Sequence, residues 1–232
     1  MSQKNRKLII YGDSSYAEMI AHYFQNDSVY DVVAFCVDRD YKTREEIDGH
    51  PIVALEDIAK HFSSENHYIF AAIGYKSVRT HKKLFKKISQ LSFPIASYVS
   101  SQAMVDSTCN VGVNCLILPG AILEPDVVIE ENCYINSGAI VCHHSCVKAH
   151  SILASGSLVG GYTTIGESSL LGFNATVAEL LELGEETLLG GGSLLLQNTD
   201  KYSMYVGSPA KLIRKHSDTG IMMLPKEFDK KD

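Results

Sequence analysis

A six-residue repeat covers almost half of the chain. Counting from Val99, every sixth residue up to Leu195 is Val, Ile or Leu, at seventeen consecutive positions. The fourth residue after each of them is small in fifteen of the seventeen cases, and only Val127 and Leu181 depart from this rule. An α-helix repeats its apolar face roughly every 3.6 residues and a half-exposed strand roughly every two, so neither element accounts for the pattern.

A period of six residues predicts a β-helix built from hexapeptides. Each hexapeptide makes one short strand and one corner, and three of them close a triangular coil of about eighteen residues. The aliphatic residue fills the interior, and the small residue lets the backbone turn the corner. Successive coils stack, so that each strand forms hydrogen bonds with the strands above and below it.

The residues before the repeat show strands alternating with helices. Such alternation predicts a small parallel sheet covered by helices. The predicted strands are residues 7–12, 29–38 and 67–74, and the predicted helices are residues 15–25, 54–62 and 77–91. We therefore expect an α/β domain over residues 1–98, a β-helix over 99–200, and an exit segment and tail over 201–232.

Glycines and polar residues follow the predicted strands, at the edge of the sheet where such domains bind ligands. Gly12, Ser14 and Tyr16 follow the first strand, Asp38 ends the second and Gly74 ends the third. They could be ordinary turn residues, or they could form a cradle for a nucleotide-linked substrate. The first turn lacks the spacing GxGxxG, which argues against a dinucleotide cofactor.

Composition narrows the classes of function. A formal net charge of −6 argues against nucleic acid as a partner, because phosphate binding needs clustered Lys and Arg. The one basic run, residues 81–87, is expected to be a solvated helix face. No secretory segment is visible, and no stretch approaches the roughly 20 apolar residues of a membrane span. The six cysteines form no CxxC motif, so we expect a cytoplasmic protein with reduced thiols.

An α/β domain followed by a hexapeptide β-helix resembles the bacterial nucleotide-sugar acyltransferases, above all the UDP-4-amino-sugar N-acetyltransferases, with the sialic-acid O-acetyltransferases as close relatives. The resemblance rests on IIYGDSSYAE, FAAIGYKSVR, INSGAIVCHHSCV, the glycines at 160–161, and GGGSLLLQN followed by YVGSPAKLIRK, in this order. It implies a left-handed β-helix, a homotrimer with active sites between subunits, and acetyl-CoA as the acyl donor without a metal.

The resemblance assigns His143 as a general base that removes a proton while an acceptor attacks the thioester directly. Gly161, eighteen residues later, would stack on His143 and offer its amide to the developing oxyanion. Family members usually have a carboxylate after the base, whereas this chain has His144. We hypothesise that Asp126, eighteen residues before His144, pairs with it and orients the base.

The resemblance also indicates binding residues. Asn136 matches a substrate-side asparagine, and Phe173 and Gly191 match positions that line a groove for coenzyme A. Tyr16 stands where the family commonly has a histidine that helps to hold the substrate. The expected activity is N-acetylation of a nucleotide-linked amino sugar, such as a 4-amino-4,6-dideoxy sugar, in surface-glycan biosynthesis.

Four alternatives stay open. The same base could acylate a hydroxyl group of a sugar or a sialic acid. Cys142 or Cys146 could act as a nucleophile next to His143. His143, His144 and His150 could bind zinc, because none of them falls at an inward position and all are expected to project from the surface. The repeat could also be a non-catalytic scaffold.

Overall fold

The computed structural model describes residues 4–74, 77–216 and 220–221. They form two compact units, one of residues 4–74 and 83–101 and the other of residues 77–82, 102–216 and 220–221. No helix in these ranges is long and apolar enough to cross a membrane. Residues 217–219 and 222–232 of the predicted exit segment and tail lie outside the described residues.

The first unit contains a five-stranded sheet in the order β3-β4-β2-β1-β5. All neighbours run parallel except β3, which pairs antiparallel with β4. The predicted fold class is confirmed, and the short β3–β4 hairpin is an addition that the strand–helix alternation does not reveal. The strands are β1 Arg6–Tyr11, β2 Tyr30–Val37, β3 Glu46–Ile47, β4 His50–Ala54 and β5 His67–Ala71.

Three α-helices accompany this sheet in the sequence: α1 Ser15–Asn26, α2 Ile58–His61 and α3 Val78–Ile88. Helix α1 begins after Ser14, whose Oγ accepts a hydrogen bond from the amide of Ala17 over 3.4 Å. On its buried face, the ring of Phe24 packs edge-on against Phe70 at a centroid distance of 5.0 Å. The 3-10 turns Arg39–Tyr41 and Leu55–Asp57 complete the helical segments of the described chain.

The second unit is a parallel β-helix whose partners in adjacent coils are eighteen residues apart. Leu123 pairs with Val141, and Val141 pairs with Val159. The aliphatic column is buried inside the coils, as the period predicts. The left-handed β-helix predicted from the family resemblance is confirmed as the fold of this unit.

The coil strands form three stacked series, and two of them are wholly parallel. The first is Met104–Val105, Ile122–Leu123, Ile140–Val141, Leu158–Val159, Thr176–Val177 and Leu194–Leu195. The second is Asn110–Val111, Val128–Ile129, Cys146–Val147 and Thr164–Ile165. The third is Leu116–Ile117, Tyr134–Ile135, Ile152–Leu153, Leu170–Leu171, Leu188–Leu189, Ser203–Val206 and the antiparallel Lys211–Lys215. Strand Tyr98–Val99 ends the first unit.

The corners turn at the fourth residue of each hexapeptide. All fourteen residues at this position from Asn114 to Gly192 have a positive φ. The small fifth residue faces the core, as expected from the pattern, and Cys115 and Cys133 have no exposed surface; the turn itself lies one residue earlier. A positive φ favours Gly and Asn, so any bulky residue at a corner calls for an explanation.

One corner column of the second unit is polar and buried. Asn114 Nδ2 donates to Asn132 Oδ1 over 2.8 Å, and Asn132 Nδ2 lies 3.1 Å from His150 Nδ1. His150 is only 7% exposed, so the expectation that it projects from the surface is wrong. His81 of α3 is also buried, with Nε2 3.0 Å from the carbonyl oxygen of Asn132, so the basic run is not a fully solvated face.

Candidate active site

His143 and His144 form the two-residue turn between the strands Ile140–Val141 and Cys146–Val147. As the third and fourth residues of their hexapeptide, both are exposed. Nδ1 of His143 lies 3.3 Å from Nδ1 of His144, and the rings meet edge to face at 5.4 Å. One nitrogen must donate and the other accept, so the proton positions of the two rings are linked.

Two carboxylates come from the coil below this turn. His144 Nε2 lies 3.4 Å from Asp126 Oδ2, and the backbone N–H of His143 donates to Glu124 Oε2 over 2.9 Å. The carboxylate of Asp126 favours a proton on Nε2 of His144. Neutral His144 then accepts at Nδ1 from the Nδ1–H of His143, which leaves Nε2 of His143 with the free lone pair that a base needs.

Gly161 lies against the ring of His143, from the coil above. A Cβ atom at this position would be 2.8 Å from Cε1 and 3.0 Å from Nε2 of His143. A side chain at this position would force the imidazole to move, so glycine leaves room for the ring of His143 in its present place. The eighteen-residue register therefore brings His143 and Gly161 together.

The backbone N–H of Gly161 lacks the side-chain acceptor that is found at two earlier corners. At His143 and Ala149, the N–H donates to a glutamate nineteen residues earlier, Glu124 or Glu130. The residue nineteen positions before Gly161 is Cys142, which has no carboxylate to accept a hydrogen bond. The N–H of Gly161 donates to no group among the described residues. This amide is therefore available to an oxyanion next to the base.

Tyr162 and Glu124 are site residues that the sequence reasoning missed. The ring of Tyr162 stacks on His144 at a centroid distance of 4.7 Å and an angle of 21°, and it meets His143 edge-on at 5.3 Å. The signal that could have found both is the register itself. Tyr162 stands eighteen residues after His144, and Glu124 eighteen before Cys142.

The cysteine and zinc alternatives find no support in this geometry. Burial and the carboxylate of Glu124 raise the pKa of Cys142, and burial raises the pKa of Cys146, whereas a nucleophilic thiol needs a lowered pKa. His150 belongs to the buried column next to Asn132 and not to the turn of His143. Among the described residues, no group of three His, Cys, Asp or Glu could hold a metal ion.

Asn136 is placed differently from the exposed histidines. Its side chain is only 7% exposed, and its Nδ2 donates to the carbonyl oxygen of Leu153 over 2.9 Å. This bond links one coil to the next. The amide therefore stabilises the β-helix, which is a structural reason for asparagine at this position.

Phe173 and Gly191 occupy equivalent positions in successive coils. A Cβ atom on Gly191 would lie 3.2 Å from the carbonyl oxygen of Phe173, and that oxygen accepts a bond of 2.8 Å from the N–H of Gly192. The ring of Phe173 is 65% exposed. An exposed aromatic ring beside side-chain-free backbone offers a surface on which an extended ligand could lie.

The candidate substrate residues of the first unit lie at the ends of its parallel strands. Gly12 follows β1 with φ 127°, and a Cβ atom there would lie 2.7 Å from the carbonyl oxygen of Ala72, so glycine is required. Asp38 follows β2, and its Oδ1 accepts from Tyr11 Oη over 2.8 Å and lies 2.6 Å from Lys87 Nζ. Gly74 follows β5, and a Cβ there would meet nothing within 4 Å.

Arg44 brings a positive charge to the edge of the sheet where the parallel strands end. The sequence reasoning did not identify this residue. Its Nη2 donates to the carbonyl oxygen of Asp13 and lies 2.9 Å from Glu18 Oε1. It therefore covers the turn that contains Gly12 and Ser14, while Tyr16 is half-buried in the first turn of α1. Arg44 comes from the loop before β3, and no local motif marks it.

Two family models match separate parts of the chain. The family model of the PglD N-terminal domain matches residues 7–88, and that of the GMPPB C-terminal domain matches residues 95–194. No curated protein matches the chain.

Three similar solved structures each cover 90% of this chain. The acetyltransferase domain of PglB from Neisseria gonorrhoeae, in complex with acetyl coenzyme A, is 21% identical, with a TM-score of 0.80 over 100% of its length. PerB from Caulobacter crescentus, in complex with CoA and GDP-perosamine, is 23% identical, with a TM-score of 0.78 over 97%. WeeI from Acinetobacter baumannii is 17% identical, with a TM-score of 0.76 over 100%.

The structural similarity extends across both units, since the aligned part exceeds either unit alone. The chain therefore has the fold of the PglB acetyltransferase domain and of PerB, a PglD-type N-terminal domain followed by a left-handed β-helix, and the resemblance predicted from its sequence is confirmed.

Proposed function

We propose that this protein is an N-acetyltransferase that moves the acetyl group of acetyl-CoA to the amine of a nucleotide-linked amino sugar. The observation that carries this proposal is the contact between His143 and Gly161. It sets the Nε2 edge of an oriented imidazole next to a backbone N–H that has no acceptor among the described residues. A base and an oxyanion donor are the two groups that direct acyl transfer needs.

The matched structures support the choice of substrates. PglB's acetyltransferase domain was solved with acetyl coenzyme A, and PerB with CoA and GDP-perosamine. In this chain, Phe173 and Gly191 would hold the coenzyme along the coils. Gly12, Ser14, Tyr16, Asp38 and Gly74 would hold the nucleotide sugar, and a 4-amino-4,6-dideoxy sugar remains the preferred acceptor.

The transfer would proceed without a covalent enzyme intermediate. The amine nitrogen attacks the thioester carbon while Nε2 of His143 takes a proton from the amine. The N–H of Gly161 donates to the carbonyl oxygen as it becomes negative. The C–S bond then breaks, and the proton on Nε2 passes to the leaving thiolate, which yields free coenzyme A and the acetamido sugar.

Asp126 and His144 would support this cycle through the linked rings. When Nε2 of His143 takes the proton, His143 becomes an imidazolium that still donates from Nδ1 to His144. His144 lies within 3.4 Å of the Asp126 carboxylate, so the new positive charge is balanced nearby. His143 thus acts as the base and Asp126 as the orienting carboxylate, and the imidazole of His144 connects the two.

A homotrimer, a cytoplasmic location and a role in surface-glycan biosynthesis stay predictions. A cytoplasmic location agrees with the six free cysteines of the described chain. O-acetylation of a sugar by the same base also stays open, since a hydroxyl must lose a proton to the same nitrogen.

The test is thiol release from acetyl-CoA with a panel of UDP-, dTDP- and GDP-linked 4-amino and 3-amino sugars. The matched control for each is the same nucleotide sugar with a hydroxyl in place of the amine. Release with one amine, and a product heavier by one acetyl group, supports the proposal. Thiol release with the hydroxyl sugar alone would show O-acetylation in place of N-acetylation. No thiol release with any acceptor would favour a non-catalytic scaffold.

A further inference from the structure

Tyr162 is an aromatic residue in a backbone conformation that suits glycine or asparagine. Its φ is 53°, and it occupies the corner column in which Asp126 and His144 precede it at eighteen-residue intervals. Other corners use Asn114, Asn132, Asn174 or glycine, but also Ser168, Leu180 and Glu186. Since several side chains larger than asparagine are accommodated at these corners, the ring contacts of Tyr162, and not its φ, indicate its role.

Burial in the described chain does not supply that role. The side chain of Tyr162 is 56% exposed, so it fills no core. Its ring contacts are with the two histidines of the turn, stacked on His144 at 4.7 Å and edge-on to His143 at 5.3 Å. The backbone N–H of Tyr162 also donates to the carbonyl oxygen of His143 over 3.0 Å, which holds the backbone of Tyr162 above the turn, as at other corners.

The stacked ring restricts the plane of His144. An exposed imidazole can rotate about its side-chain bonds, and rotation of His144 would break both the contact with Asp126 and the contact with His143. With Tyr162 on one face, Nε2 of His144 stays near Asp126 while Nδ1 stays near His143. The proton on Nδ1 of His143 depends on that acceptor, and the free lone pair on Nε2 depends on that proton.

We propose that Tyr162 is a positioning residue that holds His144 by stacking, and thereby keeps His143 in the tautomer with an unprotonated Nε2. The proposal rests on the proposed function for its consequence in catalysis, but the tautomer exists without substrate. The hydroxyl group of Tyr162 is not required, because stacking uses the ring face. Tyr162→Phe should therefore behave as the wild type.

The decisive variant is Tyr162→Asn, which removes the ring and keeps a residue that tolerates the corner. The matched control is Tyr202→Asn, the same change at another exposed tyrosine with φ 56°, which bonds Glu185 and lies outside the site. Thermal unfolding of all variants shows whether the β-helix is intact. Because asparagine serves at several corners, we expect no loss of folding in Tyr162→Asn.

The primary readout is the ¹⁵N spectrum of labelled histidine at a pH where the rings are neutral, with His143→Gln and His144→Gln used for assignment. In the wild type, Tyr162→Phe and Tyr202→Asn, His143 should carry its proton on Nδ1. In Tyr162→Asn, that proton should be distributed between Nδ1 and Nε2, and kcat with the identified acceptor should fall about tenfold while the KM for acetyl-CoA changes little.

An unchanged His143 tautomer in Tyr162→Asn would overturn the inference, and so would a Tyr162→Phe variant as impaired as Tyr162→Asn. The spectrum is recorded without substrates, so it decides the inference even if no acceptor is found. An altered tautomer together with inactivity of the wild type on every acceptor would keep the positioning role and reject the proposed function.

Discussion

Asp126 and His144 occupy the same corner position in successive coils, and their side chains meet at 3.4 Å between Oδ2 and Nε2. His144 in turn meets His143 at 3.3 Å between the two Nδ1 atoms. The carboxylate that would orient a base is thus one coil away, and an imidazole spans the gap. This relationship brings a carboxylate close to the imidazole pair although the residue after His143 is a histidine.

Asp126→Asn should slow the reaction without unfolding the protein. The amide cannot favour a proton on Nε2 of His144 as a carboxylate does, so less of His143 is in the basic tautomer. We expect kcat to fall about tenfold, as for loss of an orienting partner that does not touch the substrate. Asp48→Asn, which changes an exposed carboxylate at another positive-φ turn, is the control. Equal rates for the two variants would remove Asp126 from the mechanism.

His144→Glu tests the same relationship from the other side. A carboxylate directly after His143 should accept the Nδ1–H of His143 without help from Asp126. We predict that His144→Glu keeps most of the activity, whereas His144→Ala loses it, and that Asp126→Asn has no further effect in the His144→Glu background. A strong effect of Asp126→Asn in that background, measured as a double-mutant cycle, would contradict the pairing.

Gly161→Ala should inactivate the enzyme and leave the coils intact. The added Cβ would lie 2.8 Å from Cε1 of His143, so the imidazole must leave its place beside the amide. Alanine keeps the backbone N–H, so the loss comes from displacement of the general base, which we expect to cost about 100-fold or more in kcat. Steady-state kinetics measure the loss, and thermal unfolding checks the fold. A variant with near-normal kcat would mean that the contact is not part of the site.

Phe173→Ala should weaken the binding of acetyl-CoA without changing the rate of the chemical step. The ring is mostly exposed in the chain by itself, so its loss leaves no cavity. We expect the KM for acetyl-CoA to rise about fivefold at an unchanged kcat, since a contact with the distant coenzyme stabilises ground state and transition state alike. Leu212→Ala, an exposed residue of the last strand, is the control. No change in KM would place the coenzyme elsewhere.

The stability of the β-helix should fall in acid through His150. Burial lowers the pKa of His150 from 6.5 to about 4; the charge of Glu167 opposes this shift to a smaller extent, and that of Lys82 adds to it. His150 of the unfolded chain therefore becomes protonated below about pH 6.5, whereas His150 of the folded chain becomes protonated only near pH 4. The free energy of unfolding therefore decreases as the pH falls from about 6.5 to about 4, and this residue makes a constant contribution at higher pH.

His150→Asn should remove this part of the acid sensitivity, because asparagine already fills the same column at 114 and 132. The measurement is the unfolding midpoint between pH 4 and 7, about the span from the lowered to the ordinary pKa. His61→Asn, which removes an exposed histidine, should show the same change of the unfolding midpoint with pH as the wild type. An unchanged slope in His150→Asn would show that other groups set the acid limit.

Much of the β-helix could be predicted because its rule is local and repeated. One aliphatic and one small residue in six identify the strand, the core and the coil length, and the coil length alone pairs His143 with Gly161 and Asp126 with His144. The corner was assigned one residue too late, because the small size of the fifth residue reflects the narrow core and not the turn.

Other features depend on contacts that no local pattern records. His150 reads as a surface residue by its position, yet the column of Asn114 and Asn132 buries it. The β3–β4 hairpin has a first strand of only two residues and Pro51 within its second strand, so no strand pattern marks it. Arg44 reaches the turn after β1 from a loop thirty-one residues further along the chain, so only the folded chain brings them together.

The central claim is that Nε2 of His143 removes the proton from the attacking amine, and the most direct test compares wild type with His143→Ala. The measurement is the rate of coenzyme A release at saturating acetyl-CoA and saturating acceptor, with the Kd of acetyl-CoA determined in parallel. We predict a loss of about 100-fold or more in kcat and an unchanged Kd, because a general base acts on the transition state and not on coenzyme binding. A His143→Ala enzyme that releases coenzyme A at close to the wild-type rate would contradict the account.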